Sequence, residues 1–261
     1  MDDIIGVLND IPPYVIVIYI TVFLTLESFW PYTKNRKHRV RHLLNNSGLL
    51  LIATVINFFI SFILINWVEY IDRNRIGLMN LFNLSPTVKA FSGVIVIDMG
   101  NYFIHRMLHK SKFLWRFHRV HHSEIEMDCS TSFKFHPIET VIVLPAQLTV
   151  IGLFGISFPA IIIFNALILP VFFILHSNLN YPKWVEKIFN PVFSTPDFHR
   201  VHHSDEQKYT DSNYGDIFSL WDRIFGTFQK VNPQNIHFGL KEFGDKKSQS
   251  FWHMITSPFK K

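Results

Sequence analysis

The chain has 261 residues with a formal net charge of +5, and 48% of its residues are hydrophobic while only 17% are charged. A disordered chain would be less apolar, and a lone Cys129 excludes an internal disulfide and a cysteine-based zinc or iron–sulfur site. Composition alone leaves a soluble bundle and a membrane protein open, so the distribution of the apolar residues decides between them.

Long apolar runs in the first part of the chain predict membrane-spanning helices. Residues 14–30 hold one charged side chain, Glu27, and residues 47–68 hold none. A hydrocarbon core about 30 Å thick requires roughly 20 apolar residues per helix. Segment 47–68 meets this requirement, and an uncharged run of that length is more typical of a membrane span than of a buried helix in a soluble core.

Two further segments extend the predicted bundle. Residues 86–104 are a weaker candidate because Lys89 and Asp98 interrupt them, whereas residues 139–176 suit a helical hairpin that turns near Gly155–Pro159. We therefore expect an all-α integral membrane bundle of about four to five spans, with a histidine-rich helical cap on its cytosolic side. The expected division is 1–85 for anchor spans, 86–230 for a domain that holds most of the histidines and 231–261 for a C-terminal tail.

The charges around the runs predict how the chain is oriented. The N-terminal sequence MDDII lacks the basic region of a signal peptide, so segment 14–30 is expected to be a retained anchor. The loop KNRKHRVRH (34–42) holds five Lys or Arg, and such loops stay in the cytoplasm. This orientation puts residues 105–138 and 177–261 on the cytoplasmic face, together with every histidine from 105 to 253.

Histidines recur in these two polar stretches at helical spacing. His105 and His109 are four residues apart, and the heptapeptide FHRVHHS occurs twice, at 117–123 and 198–204. Residues three and four apart share one face of a helix, so each motif projects two or three imidazoles together. The flanking sequence does not repeat, which excludes a solenoid. The two copies are therefore predicted to occupy equivalent places in one site.

The number of imidazoles indicates a site for two metal ions. Eight to ten histidines are too many for one ion, and imidazole favours Zn, Cu, Fe and Ni. A basic loop facing the membrane would explain the neighbouring Lys and Arg but not the repeated spacing. The HExxH motif of zinc peptidases is absent from the sequence. His38, His42, His237 and His253 are interpreted as isolated surface or hydrogen-bonded residues.

These motifs resemble those of the membrane-bound di-iron fatty acid hydroxylase/sterol desaturase superfamily, over roughly residues 86–230. The matching patterns are His105-x3-His109, His118-x2-His121-His122, His199-x2-His202-His203, Asp98-x3-Tyr102-x2-His105-Arg106, Trp115-x2-His118, His136-Pro137, His176-Ser177-Asn178, Asn213-Tyr214-Gly215 and the run Trp221–Thr227. The three histidine motifs are specific for the superfamily and do not distinguish among its substrates.

The resemblance implies ten ligands for two iron ions. The set is His105, His109, His118, His121, His122, His136, His176, His199, His202 and His203. His136 and His176 rest on weaker local patterns than the rest. Some members of the superfamily carry a further histidine four residues beyond the position that resembles His176, and here that place is Asn180.

The resemblance also implies the reaction. It would be the O2-dependent hydroxylation or desaturation of an unactivated C–H bond in a lipid, such as a fatty acyl chain or a sterol. We expect hairpin 139–176 and segment 86–104 to form the walls of the substrate channel.

The reaction would need electrons from another protein. The sequence has no nucleotide, haem or iron–sulfur motif and no nucleic-acid signature, so an external electron donor is expected: a cytochrome b5-like protein, a ferredoxin or a reductase. The alternative is a histidine-rich membrane protein that binds or transports metal, although transporters place ligands near the bilayer midplane.

Asp98 is a candidate supporting residue for the metal centre. It shares a helical stripe with Tyr102, His105 and His109, where its carboxylate is hypothesised to accept an imidazole N–H and fix the tautomer. The alternative is a carboxylate that pairs with Lys89 or faces other helices. Four other acidic residues have no sequence argument to rank them: Asp128, Asp197, Asp216 and Asp222.

Overall fold

The computed structural model describes residues 14–34, 39–245 and 247–260. The N-terminal MDDII and His38, which entered the orientation argument, lie outside them. The described part is helical, with two isolated backbone bridges in place of a sheet. Its α-helices are α1 (Tyr14–Phe29), α2 (Arg39–Arg73), α3 (Pro86–Lys110), α4 (Lys112–His122), α5 (Pro137–Phe154), α6 (Phe158–His176), α7 (Lys183–Phe189), α8 (Pro196–His202), α9 (Gln207–Thr210), α10 (Leu220–Ile224) and α11 (Phe251–Thr256).

Three helices in the described residues are long and apolar enough to cross a membrane: α2 with the segment that follows it, α5 and α6. Helix α1 is apolar but has only 16 residues, and α3 has 25 residues but carries Lys89 and Asp98. The all-α membrane bundle is thus confirmed, while three spans meet these criteria instead of the four to five expected. The protein is an integral membrane protein.

The hairpin expected in 139–176 is present as α5 and α6. Gly155 ends α5 in the left-handed region with φ 68°, and Pro159 stands in the first turn of α6. A Cβ on Gly155 would lie 2.7 Å from the Ile76 carbonyl oxygen, so the turn also requires glycine for the close approach of the chain that follows α2. The hairpin brings His176, at the end of α6, back to the end of the bundle where α5 begins.

The histidine motifs lie at the end of the bundle that is opposite to the Gly155 turn, and a junction between two helices positions them there. Ser111 ends α3 and also caps α4, since its hydroxyl accepts a hydrogen bond from the Leu114 N–H. This sharp junction places the second motif directly after the first. The C-terminal segment packs on the same end, because Met254 forms a buried cluster with Leu49 of α2 and Val120 of α4.

Candidate metal centre

Nine histidines form two groups at this end of the bundle. Within each group, one ring nitrogen from every member lies within 4.8 Å of the others. The first group comprises His105, His109, His118, His122 and His202, and the second comprises His121, His176, His199 and His203. The groups adjoin one another, since the rings of His122 and His203 are stacked with centroids 4.7 Å apart. Each group is compact enough to hold a metal ion.

The two copies of the heptapeptide contribute to both groups in reciprocal fashion. On α4, His118 and His122 belong to the first group and His121 points to the second. In the second copy, His199 and His203 belong to the second group while His202 belongs to the first. Each copy thus gives its pair spaced by four residues to one site and its middle imidazole to the other. The identical sequences therefore occupy equivalent places, as expected from the repeat.

Hydrogen bonds at Nδ1 orient three imidazoles of the first group. The three contacts are His105 to the Tyr214 carbonyl oxygen at 2.8 Å, His118 to a Glu139 carboxylate oxygen at 2.9 Å and His202 to the Ser212 carbonyl oxygen at 2.7 Å. Carbonyl oxygens and an ionised carboxylate only accept, so in each ring Nδ1 carries the hydrogen. The three Nε2 atoms are left with lone pairs, and all three are buried without a hydrogen-bond partner.

The second group is drawn together at Nε2. His176 Nε2 lies 2.9 Å from His199 Nε2 and 3.2 Å from His121 Nε2, and His203 Nε2 lies 3.1 Å from His199 Nε2. Two nitrogens that each lie about 2 Å from a shared ion stand about 3 Å apart. The Nδ1 atom of His176 donates to the Phe172 carbonyl oxygen at 2.8 Å, which fixes Nε2 as its free nitrogen.

Burial keeps the imidazoles neutral. Burial, with the neighbouring histidines adding to it, lowers the pKa of His121, His122, His199 and His203 well below the ordinary value. Burial lowers the pKa of His202 to about 3, although its bond to the Ser212 carbonyl acts in the other direction. Neutral imidazole is the form that binds metal ions.

The donor set fits metal ions. In the described residues, eight of the nine histidines have a buried ring nitrogen without a hydrogen-bond partner: His105, His109, His118, His121, His122, His199, His202 and His203. Leaving a buried polar atom unpaired costs roughly 1–3 kcal/mol. The Nε2 lone pairs of the first group and the closely spaced Nε2 atoms of the second group would be satisfied by two cations that favour imidazole, such as iron.

The structure does not bring His136 into either group. Its Nε2 lies 3.1 Å from the Ile255 carbonyl oxygen, and its Nδ1 accepts from the Ile138 N–H as the N-cap of α5. Both ring nitrogens are therefore engaged with backbone groups. Asn180, at the position where a further ligand was considered, is exposed and pairs through its backbone with Trp30.

Asp98 is placed differently from the hypothesis that it holds an imidazole. Its carboxylate accepts from the Ile217 N–H at 3.0 Å, the Phe218 N–H at 3.2 Å and the Trp221 indole N–H at 2.7 Å. Lys89 is not its partner, because the ammonium group donates to Asn80 at 2.6 Å. Asp98 therefore anchors the loop before α10 and reaches the imidazoles only through that loop.

Sequence reasoning missed Glu139, whose carboxylate orients His118. A signal existed, since Glu139 is the only Asp, Glu, Lys or Arg in segment 139–176. Asp222, which no sequence pattern favoured over other acidic residues, supports the site indirectly. Its carboxylate accepts hydrogen bonds from the Tyr214 and Gly215 N–H groups, each at 2.8 Å. The carbonyl of Tyr214 is the one that holds His105. Asp128 and Asp197 pair with His42 and Arg200 instead.

A cavity of about 260 Å³ opens beside both groups. Its wall includes His105 and His118 of the first group and three members of the second. A further cavity of about 110 Å³ shares Asn101, Ile104 and Gln147 with it and continues among α2, α3, α5 and α6. The two cavities therefore adjoin, one beside the imidazoles and the other in the apolar part of the bundle.

The sequence of the chain was compared with models of known protein families. Residues 90–227, more than half of the chain, match the model of the family described as fatty acid hydroxylase. The chain belongs to the fatty acid hydroxylase family. The match covers both copies of the heptapeptide, α5, α6, the loop that carries Tyr214 and helix α10 with Asp222. No solved structure matches the chain.

Three curated relatives illustrate the range of the family. Ornithine lipid hydroxylase OlsE of Rhizobium tropici is 28% identical over 168 residues, covering 64% of this chain and 49% of that protein. Human alkylglycerol monooxygenase is 31% identical over 169 residues, covering 60% and 35% respectively. Mouse lathosterol oxidase is 30% identical over 173 residues, covering 63% and 54%. The chain thus spans about half or less of the length of these fatty acid hydroxylase relatives.

Proposed function

We propose that the protein is a membrane-bound oxygenase that uses O2 to hydroxylate, or to desaturate, an unactivated C–H bond of a lipid. The observation that carries the proposal is the cavity that touches both histidine groups and adjoins a second cavity in the apolar bundle. A lipid chain in that space would present one of its carbons to the metal centre. The relatives that bear the names of lipid hydroxylase, monooxygenase and sterol oxidase support the same class of reaction.

Nine histidines are proposed to hold two iron ions, five in the first group and four in the second. His136, the tenth residue expected from the sequence, is left out because both of its ring nitrogens face backbone groups. Bound iron would supply the activation of O2. The chain's own part is to hold the imidazoles neutral and correctly oriented and to exclude water from the space beside them.

The walls of the cavity define what the substrate meets. Ile104, Leu108 and Val143 give it apolar surface, while Thr140 and Gln147 add polar groups. Helix α5 supplies three of these side chains and Glu139 as well. The channel that we propose lies between α3 and the hairpin α5–α6.

The reaction requires electrons from outside the described residues, because their side chains include no recognisable redox group besides the proposed iron site. We propose an external donor such as a cytochrome b5-like protein, a ferredoxin or a reductase. The histidine groups are proposed to face the cytoplasm, where such donors occur, in line with the basic loop 34–42. Transport of metal is disfavoured because the groups lie at one end of the bundle.

The test combines metal content with lipid analysis. Protein purified under iron-replete conditions is expected to bind two iron ions per chain, and cells that express it are expected to accumulate a lipid with one added oxygen or two fewer hydrogens. A variant with His199→Gln and His203→Gln, which removes half of the second group, should lose both. Stoichiometric metal without any oxidised lipid, in cells supplied with O2 and a donor, would contradict the proposal.

A further inference from the structure

A band of exposed apolar side chains follows the histidine end of the bundle. It comprises Trp184, Ile188, Phe189, Val192 and Phe193, which we call the interfacial patch. Trp184 is 57% exposed and Ile188 is 63% exposed, although both are large apolar side chains. Contiguous apolar surface of this kind marks a place that another molecule or a membrane covers.

The patch is anchored at the level of the membrane helices. The Phe193 ring lies 5.4 Å from the Phe218 ring, and the Ser194 N–H donates to the Ile217 carbonyl oxygen. Ile217 in turn forms a buried cluster with Val94 of α3 and with Phe164 and Ile168 of the membrane helix α6. The segment that carries the patch is therefore linked by packing to α3 and to the membrane helix α6, and lipid is its expected neighbour.

Helix α7 carries apolar and basic side chains on different faces. Trp184 and Ile188 are four residues apart and belong to the patch, whereas Lys183 and Lys187 are four residues apart and line a cleft beside it. A Trp-bearing apolar face next to lysines is typical of a helix that lies in the headgroup region of a bilayer.

The cleft has a volume of about 760 Å³ and four basic residues on its walls. These are Lys183, Lys187, Arg223 and Lys230, which we call the basic rim. All four side chains are exposed. In the described residues no carboxylate forms an ion pair with any of them.

The two acidic residues of the cleft are already engaged. Glu186 accepts hydrogen bonds from the Thr195 hydroxyl at 2.5 Å and from the Asp197 N–H at 3.0 Å, and the Asp197 carboxylate pairs with Arg200 at 2.8 Å. Arg223 is held in place as well, since it donates to the Asn190 amide oxygen at 2.9 Å and stacks on Phe228. The cleft thus offers positive charge to a ligand from outside.

We propose that the basic rim binds the phosphodiester headgroup of an anionic phospholipid whose acyl chains cover the interfacial patch. Charge complementarity favours an anion, and the position of the patch beside the membrane helices favours a lipid over an acidic protein. Basic pockets next to membrane helices are typical sites for such headgroups. The proposal concerns a lipid held at the surface and does not depend on the oxidation reaction.

Fluorescence quenching of Trp184 tests the site in reconstituted protein. Vesicles would contain either phosphatidylglycerol or phosphatidylcholine with brominated acyl chains, at equal mole fractions, and a Trp184→Phe variant would give the signal of the other five tryptophans. We expect brominated phosphatidylglycerol to quench Trp184 more strongly than brominated phosphatidylcholine. The variant Lys183→Glu/Lys187→Glu should reduce this preference by at least about five-fold, since each basic residue near a bilayer favours anionic lipid by a factor of that order.

A matched variant, Lys241→Glu/Lys247→Glu, makes the same charge change at exposed residues outside the basic rim and should keep the preference. Equal quenching by the two lipids in the unsubstituted protein would overturn the proposal. Absence of quenching by either lipid would overturn it too and would point to a protein partner. Loss of the preference on addition of millimolar inorganic phosphate would identify a site for the free anion instead of a lipid.

Discussion

Each imidazole can bind a metal ion only through a ring nitrogen that carries no hydrogen, so the contact at its other nitrogen decides its role. At His105 and His202 that contact is a backbone carbonyl oxygen. At His118 it is the carboxylate of Glu139 at 2.9 Å. A carboxylate partner makes the opposite nitrogen a stronger ligand than a carbonyl partner does.

Replacing Glu139 by glutamine is therefore expected to weaken metal binding while the fold is kept. The side chain keeps its shape but loses its charge, and losses of such partners lower metal affinity by about 10–100-fold. The affinity can be measured by competition with a chelator of known strength. Glu242→Gln, at an exposed position, is the control and should bind metal normally. Equal affinities in the two variants would show that Glu139 does not support the site.

Asp98→Asn is expected to act on stability more than on metal affinity. The carboxylate accepts the backbone N–H groups of Ile217 and Phe218 and the indole N–H of Trp221 in α10, and an amide NH2 turned toward them leaves a buried donor unpaired. The cost is roughly 1–3 kcal/mol. Thermal unfolding measures it, with Asp72→Asn as the control because the carboxylate of Asp72 is 74% exposed and its ion pair contributes little. Matching melting temperatures in the two variants would rule out this anchoring role.

Among the elements, the sequence predicted which helices carry the histidines but not how they divide the imidazoles between two sites. The spacing of FHRVHHS shows that three rings share a face of α4, whereas the assignment of His121 to the second group depends on how α4 and α8 pack. The spacing of histidines along one helix does not show how that helix packs against another. The carbonyls of Tyr214 and Ser212 were equally hidden, since any residue supplies the same backbone oxygen.

Other differences have a local cause. The pattern His136-Pro137 resembled a ligand motif, yet proline at the start of a helix also favours a capping residue before it, and that is the position His136 takes. Asp98 shares a helical stripe with His105, but its carboxylate is bound by the N–H groups of residues 217, 218 and 221. In both cases the sequence pattern placed the residue on the correct helix, but it could not show the partner that a distant part of the chain supplies.

Helix α5 allows a test of the proposed channel with two positions on one element. Val143 lines the cavity beside the histidines, whereas Val141 is 49% exposed on the outer surface of the same helix. Val143→Trp is expected to fill the cavity and lower lipid oxidation by about ten-fold or more, because small displacements of a bound substrate cost rates of that order. Bound iron should be unchanged. Val141→Trp should oxidise lipid at the normal rate, and a similar loss in both variants would place the substrate elsewhere.

For the whole molecule, the centre lies where distant parts of the chain meet. The first group draws on α3, α4 and α8, and the second adds the end of α6. Loops and the C-terminal segment close the same end, with Met254 packed on Leu49 and Val120. A ligand that binds only this assembled state stabilises the entire fold. The stability of the protein should therefore report whether the metal ions are bound.

Removal of the metal ions by a chelator is expected to lower the melting temperature. A ligand at about 100 times its Kd stabilises the folded state by about 2.7 kcal/mol, which corresponds to a shift of about 5 °C or more for a domain of this size. His203→Gln removes one nitrogen of the second group and should shrink the difference between loaded and chelated protein. His136→Gln should lower both melting temperatures alike, since His136 caps α5 and contacts neither group. A difference that shrinks in His136→Gln and persists in His203→Gln would reverse the assignment of these two residues.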